Sequence, residues 1–335
     1  MTNPELEALL RVPSPDPPSD FEEFWRATYA EVRQIPLQTE MRRVASADPN
    51  YELYEVEFDS LGQVRSGGWI SMPADGNFAR GVVAGHGYGG RNEPEPAIPG
   101  PPAVTIFPCA RGFNRSMDPR FPDVGSSHVL HGIGNRETYI HRGCAAEIWS
   151  AASVLLEQFP AAALSLHYFG ASFGGGIGAL AIPWDARFHR VYLDVPSFGN
   201  HPARVRIPCA GSGESVRLHF EKQPEVLETL AYFDSATAAQ FIRIPAFVSA
   251  ALSDPAVPPE GQFAVYNALP GPKELFVRST GHPNVASEDE ALFHQLADWA
   301  NRDQNSGTGL SFSRCHGIVM TGRHLTDATW RGGVQ

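Results

Sequence analysis

From residue 81 onward the chain alternates between short apolar runs and longer segments of helical spacing. The runs cover residues 81–84, 104–107, 164–169, 191–195, 245–252 and 274–277, and β-branched or aromatic side chains dominate them. Runs this short, apolar throughout instead of alternating, suit strands of a parallel sheet covered on both faces. Between them, apolar positions return every three or four residues over 142–158, 174–182, 225–232, 261–268 and 288–299, which predicts helices. Strand alternating with helix defines an α/β domain with a doubly wound, mostly parallel sheet.

The first eighty residues show a different pattern. Residues 1–19 are polar and rich in proline, which disfavours a helix and predicts an extended arm lying on the body. Asp20 is placed to cap a helix, since Phe21, Phe24, Trp25, Tyr29 and Val32 recur at helical spacing to about Arg33. Residues 51–58 and 69–72 are rich in β-formers and flank a turn at Leu61-Gly62, predicting an antiparallel hairpin. Residues 113–137 carry no period and predict a long loop near the strand ends, and residues 199–224 read as an excursion between a strand and a helix. Periodicity stops after Trp299. The expected division is therefore an arm over 1–19, one α/β domain over 20–300 and a poorly structured tail over 301–335.

Composition narrows the partners. With 42% hydrophobic and 19% charged residues, the chain of 335 has ordinary globular usage and enough apolar side chains for a large core. A net charge of −11 and the absence of any Lys/Arg-rich run argue against nucleic acid. No stretch of 18 apolar residues occurs, and the start lacks a basic region followed by an apolar one, so a cytoplasmic protein with no membrane partner is expected. Cys109, Cys144, Cys209 and Cys315 lie far apart with no CxxC pair and are read as reduced thiols.

The chemistry concentrates at Gly170-Ala171-Ser172-Phe173-Gly174, directly after one predicted strand and before one predicted helix. G-x-S-x-G in that setting is the nucleophile turn of an α/β-hydrolase fold, where the glycines relieve crowding around a strained serine. Such a fold needs an acid and then a histidine later in the chain, each on a loop after a strand. Asp254 follows the run 245–252, and His282 follows the run 274–277 in Ser279-Thr280-Gly281-His282. In this scheme Ser172 is the nucleophile, His282 the general base and Asp254 the acid that orients it. Glu288 and Asp289 come after the histidine, where they would start a helix instead. The oxyanion hole needs two backbone N–H groups, expected from Phe173 and from Tyr88 within Gly85-His86-Gly87-Tyr88-Gly89-Gly90. His86 is read as a residue that organises this loop. The closest histidine pair, His128 and His131, has no acidic or cysteine partner nearby, so it is read as polar surface; neither a metal nor a cofactor is expected.

At these residues the sequence resembles the acetyl xylan esterase and cephalosporin C deacetylase family, carbohydrate esterase family seven. The likeness spans about residues 15 to 300 and is carried by Asp20-Phe21-Glu22-Glu23-Phe24-Trp25, His86-Gly87-Tyr88 and Arg111-Gly112. It continues through Tyr139 to Gly143, Gly170 to Gly175, Tyr232-Phe233-Asp234 and Asp254 to Asn267. The resemblance implies the same triad, Tyr88 and Phe173 at the oxyanion positions, and a substrate pocket involving Arg111, Phe113 and Pro196. It also implies small acyl esters, chiefly acetyl groups on saccharides or cephalosporin-like compounds, and a ring-like homo-oligomer, a hexamer. Three positions depart from the family: Phe113 and Phe173 stand where it has Gln, and Pro283 where it has Glu. They predict less dependence on a sugar and more tolerance of apolar ester portions. Three rival readings stay open: an esterase for other short-chain apolar esters, a serine peptidase on the same fold, and a catalytically inactive binding protein.

Overall fold

The computed structural model describes residues 4–94, 98–282 and 285–302. Its strands are β1 (Glu40–Val44), β2 (Tyr51–Ser60), β3 (Val64–Pro73), β4 (Arg80–Gly85), β5 (Ala103–Pro108), β6 (Leu166–Ala171), β7 (Phe188–Asp194), β8 (Ala246–Ser253) and β9 (Lys273–Thr280). They form one sheet in the order β1-β2-β3-β5-β4-β6-β7-β8-β9. The hairpin β2–β3 is antiparallel, with Ser60 opposite Val64 across the turn at Leu61-Gly62. From β5 across to β9 every pairing is parallel. The carboxyl ends of β6, β8 and β9 therefore lie along one edge of the sheet, where open α/β sheets place ligands.

The helices are α1 (Pro4–Leu9), α2 (Phe21–Val32), α3 (Gly125–His128), α4 (Ile140–Gln158), α5 (Phe173–Ala181), α6 (His201–Arg204), α7 (Ser212–Phe220), α8 (Val226–Leu230), α9 (Ser235–Ala239), α10 (Pro259–Ala268) and α11 (Ala286–Asn301). Both sheet faces are covered, as unbroken apolar strands require. On β4, Val83 joins the core shared with α2, α4, α5 and α9, while Val82 and Ala84 join the opposite core with Leu292, Leu296 and Trp299 of α11.

The amino-terminal segment corrects two expectations. Residues Pro4–Leu9 form a helix, not an extended arm, with Pro4 at its start, where the missing N–H costs nothing. Leu9 is buried against Ala250 and Phe263, and Asn267 Nδ2 donates to the carbonyls of Leu9 and Val12, both at 2.9 Å. Asp20 sits before α2 but makes no side-chain cap. Its carboxylate is taken by Arg136 at 2.7 Å and by the Tyr232 hydroxyl, which tie α2 to the body. The loop expected over 113–137 holds a 3-10 turn at Asn114–Ser116 and the short α3. The excursion over 199–224 contains α6 and α7. Most of the tail, residues 303–335, lies outside the described residues, as does Cys315. Cys109, Cys144 and Cys209 are free thiols.

Candidate active site

Ser172 occupies the turn between β6 and α5 with φ +53° and ψ −113°, a combination that L residues rarely adopt. The turn persists because it is over-determined. Ser172 N donates to Asp194 O at 2.8 Å, and Ser172 O accepts from Gly176 N and Ser197 N, both at 3.0 Å. A Cβ added at Gly170 would lie 2.5 Å from Gly174 O, and one added at Gly174 would lie 2.9 Å from the Gly85 carbonyl carbon. The motif glycines are thus required by close backbone approach on both sides of the serine.

Asp254 and His282 meet at the ends of β8 and β9. His282 Nδ1 lies 2.8 Å from Asp254 Oδ2 and 3.0 Å from Oδ1, so the ring donates there and leaves Nε2 free of protein partners among the described residues. Accepting that N–H, Asp254 raises the His282 pKa above the ordinary 6.5, outweighing the opposing effect of burial. Asp254 is held in turn by the N–H groups of Ala256 at 2.9 Å and Val257 at 3.0 Å, and by Gln262 Nε2 at 3.0 Å. A Cβ at Gly281 would fall 1.9 Å from Asp254 Oδ2, so only glycine lets the histidine loop pass this close. Among the described residues no hydrogen bond joins Ser172 to His282. Pro283 lies outside the described residues.

The Tyr88 and Phe173 N–H groups have no acceptor among the described residues. Phe173 opens α5, where an N–H lacks an intrahelical partner and the dipole favours negative charge. Gly87 brings the Tyr88 loop against the serine: a Cβ there would sit 3.9 Å from Ser172 Cβ. His86 fixes the loop, donating from Nδ1 to Gly87 O at 2.7 Å and accepting from Ala110 N at Nε2, 2.9 Å away. Burial lowers its pKa to about 4, so the ring is neutral and suited to that double role.

The expected substrate contacts fare differently. The Arg111 side chain turns inward to a buried carboxylate and a backbone carbonyl. Its Nε donates to Glu147 at 2.7 Å, its backbone N–H donates to the same carboxylate at 3.0 Å, and Nη2 donates to Leu61 O at 3.0 Å. Phe113 and Phe173 are 5% and 2% exposed, so neither ring faces an open pocket. They pack against Tyr88 at centroid distances of 6.0 Å and 4.3 Å and form the bed beneath the loop. The tolerance of apolar esters expected from these two rings therefore has no support in their placement. Pro196 is buried against α5, its Cα 3.0 Å from where a Cβ on Gly175 would sit. His128 is fully buried, not polar surface: it donates from Nε2 to Arg111 O at 2.9 Å and lies beside the Tyr88 hydroxyl. Glu288 and Asp289 start α11 and bind Ser279 N and Arg278, away from the histidine ring. Among the described residues no three side chains form a group able to hold a metal.

Gln262 carries no mark in the sequence pattern. It is fully buried, and besides Asp254 it donates to Val257 O at 2.6 Å and accepts from Ala251 N at 2.8 Å, locking the acid loop to α10 and β8. A glutamine on the inward face of a predicted helix eight residues after the acid is a weak signal, because its partners are set by the loop's path.

Fold and turn together define an α/β-hydrolase. The sequence model of the acetyl xylan esterase (AXE1) family matches residues 5–301. The chain belongs to that family, whose members are carboxylic ester hydrolases. It is 21% identical over 301 residues to acetyl esterase Axe7A of Xylanibacter ruminicola, an alignment covering 81% of this chain and 64% of that protein. The chain thus spans somewhat less than two thirds of that relative. Among solved structures, acetyl xylan esterase from Paenibacillus sp. R4 superposes with a TM-score of 0.77 at 23% identity, covering 88% of this chain and 99% of that one. Acetyl xylan esterase 1 from Thermoanaerobacterium sp. JW/SL YS485 gives 0.75 at 18% identity, covering 86% and 96%.

Proposed function

We propose that the protein is a serine esterase that removes acetyl groups through a covalent acyl-enzyme, with Ser172, His282 and Asp254 as its triad. The observation that carries this reading is the Asp254–His282 pair, oriented by three donors and presenting a free Nε2 at the sheet edge that carries the strained Ser172 turn. In the first half-reaction Ser172 Oγ attacks the ester carbonyl carbon while His282 Nε2 takes its proton. The imidazolium so formed is stabilised at Nδ1 by Asp254. The Tyr88 and Phe173 N–H groups, both without an acceptor among the described residues, donate to the oxyanion. Collapse of the tetrahedral intermediate expels the alcohol, which receives the proton from His282. Water then attacks the acyl-enzyme by the same steps in reverse roles and releases acetate.

Acetylated saccharides are the substrate class that the family and its relatives favour. The test is a p-nitrophenyl ester series from acetate to octanoate beside an acetylated xylo-oligosaccharide. The expected result is a steep fall in kcat/KM beyond acetate, together with release of acetate from the saccharide. Equal or rising activity with chain length would contradict the acetyl preference.

A further inference from the structure

The turn between β9 and α11 carries His282, and apolar packing holds its far side weakly: α11 begins at Ala286, yet its first buried side chain is Leu292. Between that start of α11 and the ends of β4, β6 and β7 lies a cavity of about 340 Å³, bordered by Gly85, Ala171, Asp194, Arg278, Asp289 and Leu292. Close-packed side chains therefore do not set the spacing between the histidine turn and the nucleophile turn on this side.

Ion pairs span the gap instead. Arg278, on β9, is 1% exposed; its Nη1 donates to Asp194 Oδ1 at 3.2 Å and its Nη2 donates to Asp289 in the first turn of α11. Arg278 stands opposite Ala251 of β8 and Asp194 opposite Ser249, so the guanidinium crosses β8 over two small side chains on one face of the strand. A cation this deeply buried is tolerated because two carboxylates replace its hydration. Asp194 carries the link on to the nucleophile: its backbone O accepts from Ser172 N at 2.8 Å, while its carboxylate also accepts from Ser249 Oγ. On the other side Glu288 accepts from Ser279 N at 3.1 Å, closing α11 onto β9. One arginine thus joins the strand before His282 and the helix after it to the strand that anchors Ser172.

We propose that Arg278 is a positioning residue that fixes the turn carrying His282 against the strand that anchors Ser172. This rests on the triad reading above. The charges that face His282 are Asp254 after β8, whose hydrogen bond influences the ring most, then Asp194 on β7 and Arg278 on β9. Asp194 favours the protonated ring and Arg278 opposes it. Arg278 itself faces Asp194, Asp289 and Tyr192, and Arg91 borders the same cavity with its guanidinium donating to Ala84 O at 2.7 Å and Gly85 O at 3.3 Å. Neutralising the two ends of the Arg278–Asp194 pair must therefore move the titration of the base in opposite directions, which a merely architectural role would not do.

The test measures pH-rate profiles of p-nitrophenyl acetate hydrolysis by the wild type, Arg278→Met, Arg278→Lys, Asp194→Asn and Asp289→Asn, each checked for folding by circular dichroism. In Arg278→Met the plateau of kcat is expected to fall by about tenfold or more with KM within about twofold, because the arginine acts on the geometry of the base and touches no substrate. Its acidic limb should move to higher pH, since a cation near His282 is gone, whereas the limb of Asp194→Asn should move to lower pH. Arg278→Lys keeps the charge, so its limb stays near that of the wild type and part of kcat returns. Asp289 is half-buried at a helix start, so Asp289→Asn carries the test even where Arg278→Met does not fold: releasing that end of the bridge should lower kcat by about threefold or more with KM unchanged. A kcat within about twofold of the wild type in folded Arg278→Met, limbs that stay put or move in the same direction in Arg278→Met and Asp194→Asn, or an unchanged kcat in Asp289→Asn would overturn the proposal. A wild type that turns over acetyl esters beside variants that match it defeats this inference alone, whereas a wild type that hydrolyses no acetyl ester defeats the esterase reading and this inference with it.

Discussion

His282 is the residue whose environment makes the sharpest kinetic prediction. General-base catalysis needs the neutral ring, and the hydrogen bond to Asp254 raises the pKa of the ring above 6.5. Activity is therefore lost as pH falls through that raised value, and the acidic limb of kcat/KM should have its midpoint above 6.5. Asp254→Asn removes the largest cause of the shift, so the limb should move to lower pH while the plateau falls by about 10³-fold or more. A pH-rate profile of both proteins checks the direction; an unmoved limb would mean that another group titrates. Gly281→Ala places a methyl group 1.9 Å from Asp254 Oδ2, so the Asp–His pair must open. An expected fall of at least about tenfold in kcat/KM, with the protein still folded by circular dichroism, would reflect that misplacement. At this scale the three residues of the proposed triad are singled out in the sequence by chain order and one glycine-flanked serine, and the structure brings Asp254 and His282 into contact. Gln262 and the inward turn of Arg111 are not singled out, since both depend on which buried partner lies opposite, Asp254 in one case and Glu147 in the other.

Elements match their periodicity wherever burial is uniform. The runs at 81–84 and 104–107 form β4 and β5, and the helical spacing over 142–158 forms α4, whose inward face reaches Trp149. β1 is silent in the pattern because its sequence, EMRRV, is mostly charged and its residues are exposed or only half-buried, so the strand exists through pairing with β2 and not through its own apolar spacing. The helix α1 is hidden by the proline density around it, while its stability comes from Leu9 packing on α10 and β8. Asp20 shows a related limit: its type suits a cap, yet an arginine more than a hundred residues later claims it. The helix α2 tests how much one element contributes. Trp25 is fully buried, stacks edge-on with Trp149 and Phe233, and donates from Nε1 to Tyr232 O at 2.9 Å. Trp25→Ala should lower the unfolding free energy by about 3–5 kcal/mol in a denaturant titration. A loss below about 1 kcal/mol would mean that α2 is not part of the cooperative core.

At the scale of the whole molecule, the parallel half of the sheet brings Ser172, Asp254 and His282 to one edge although more than a hundred residues separate the first from the last. Doubly wound topology is readable from the alternation of apolar runs and helical segments, because each strand is buried on both faces and reads as a block. The order of β5 before β4 in the sheet is not readable, since a crossover leaves no mark in local pattern. None of the described helices is long and apolar enough to cross a membrane. The ring-like homo-oligomer implied by the family resemblance remains a proposal with a direct test. Light scattering after size exclusion should give a mass well above that of three 36.4 kDa chains, and a clean monomer would remove it. The central claim is acyl transfer through Ser172, and it is tested most directly by measuring initial rates of p-nitrophenyl acetate hydrolysis by the wild type and Ser172→Ala side by side. The account predicts turnover by the wild type and a fall of about 10³-fold or more in the variant. Equal rates in the two proteins, or a folded wild type without activity, would contradict it.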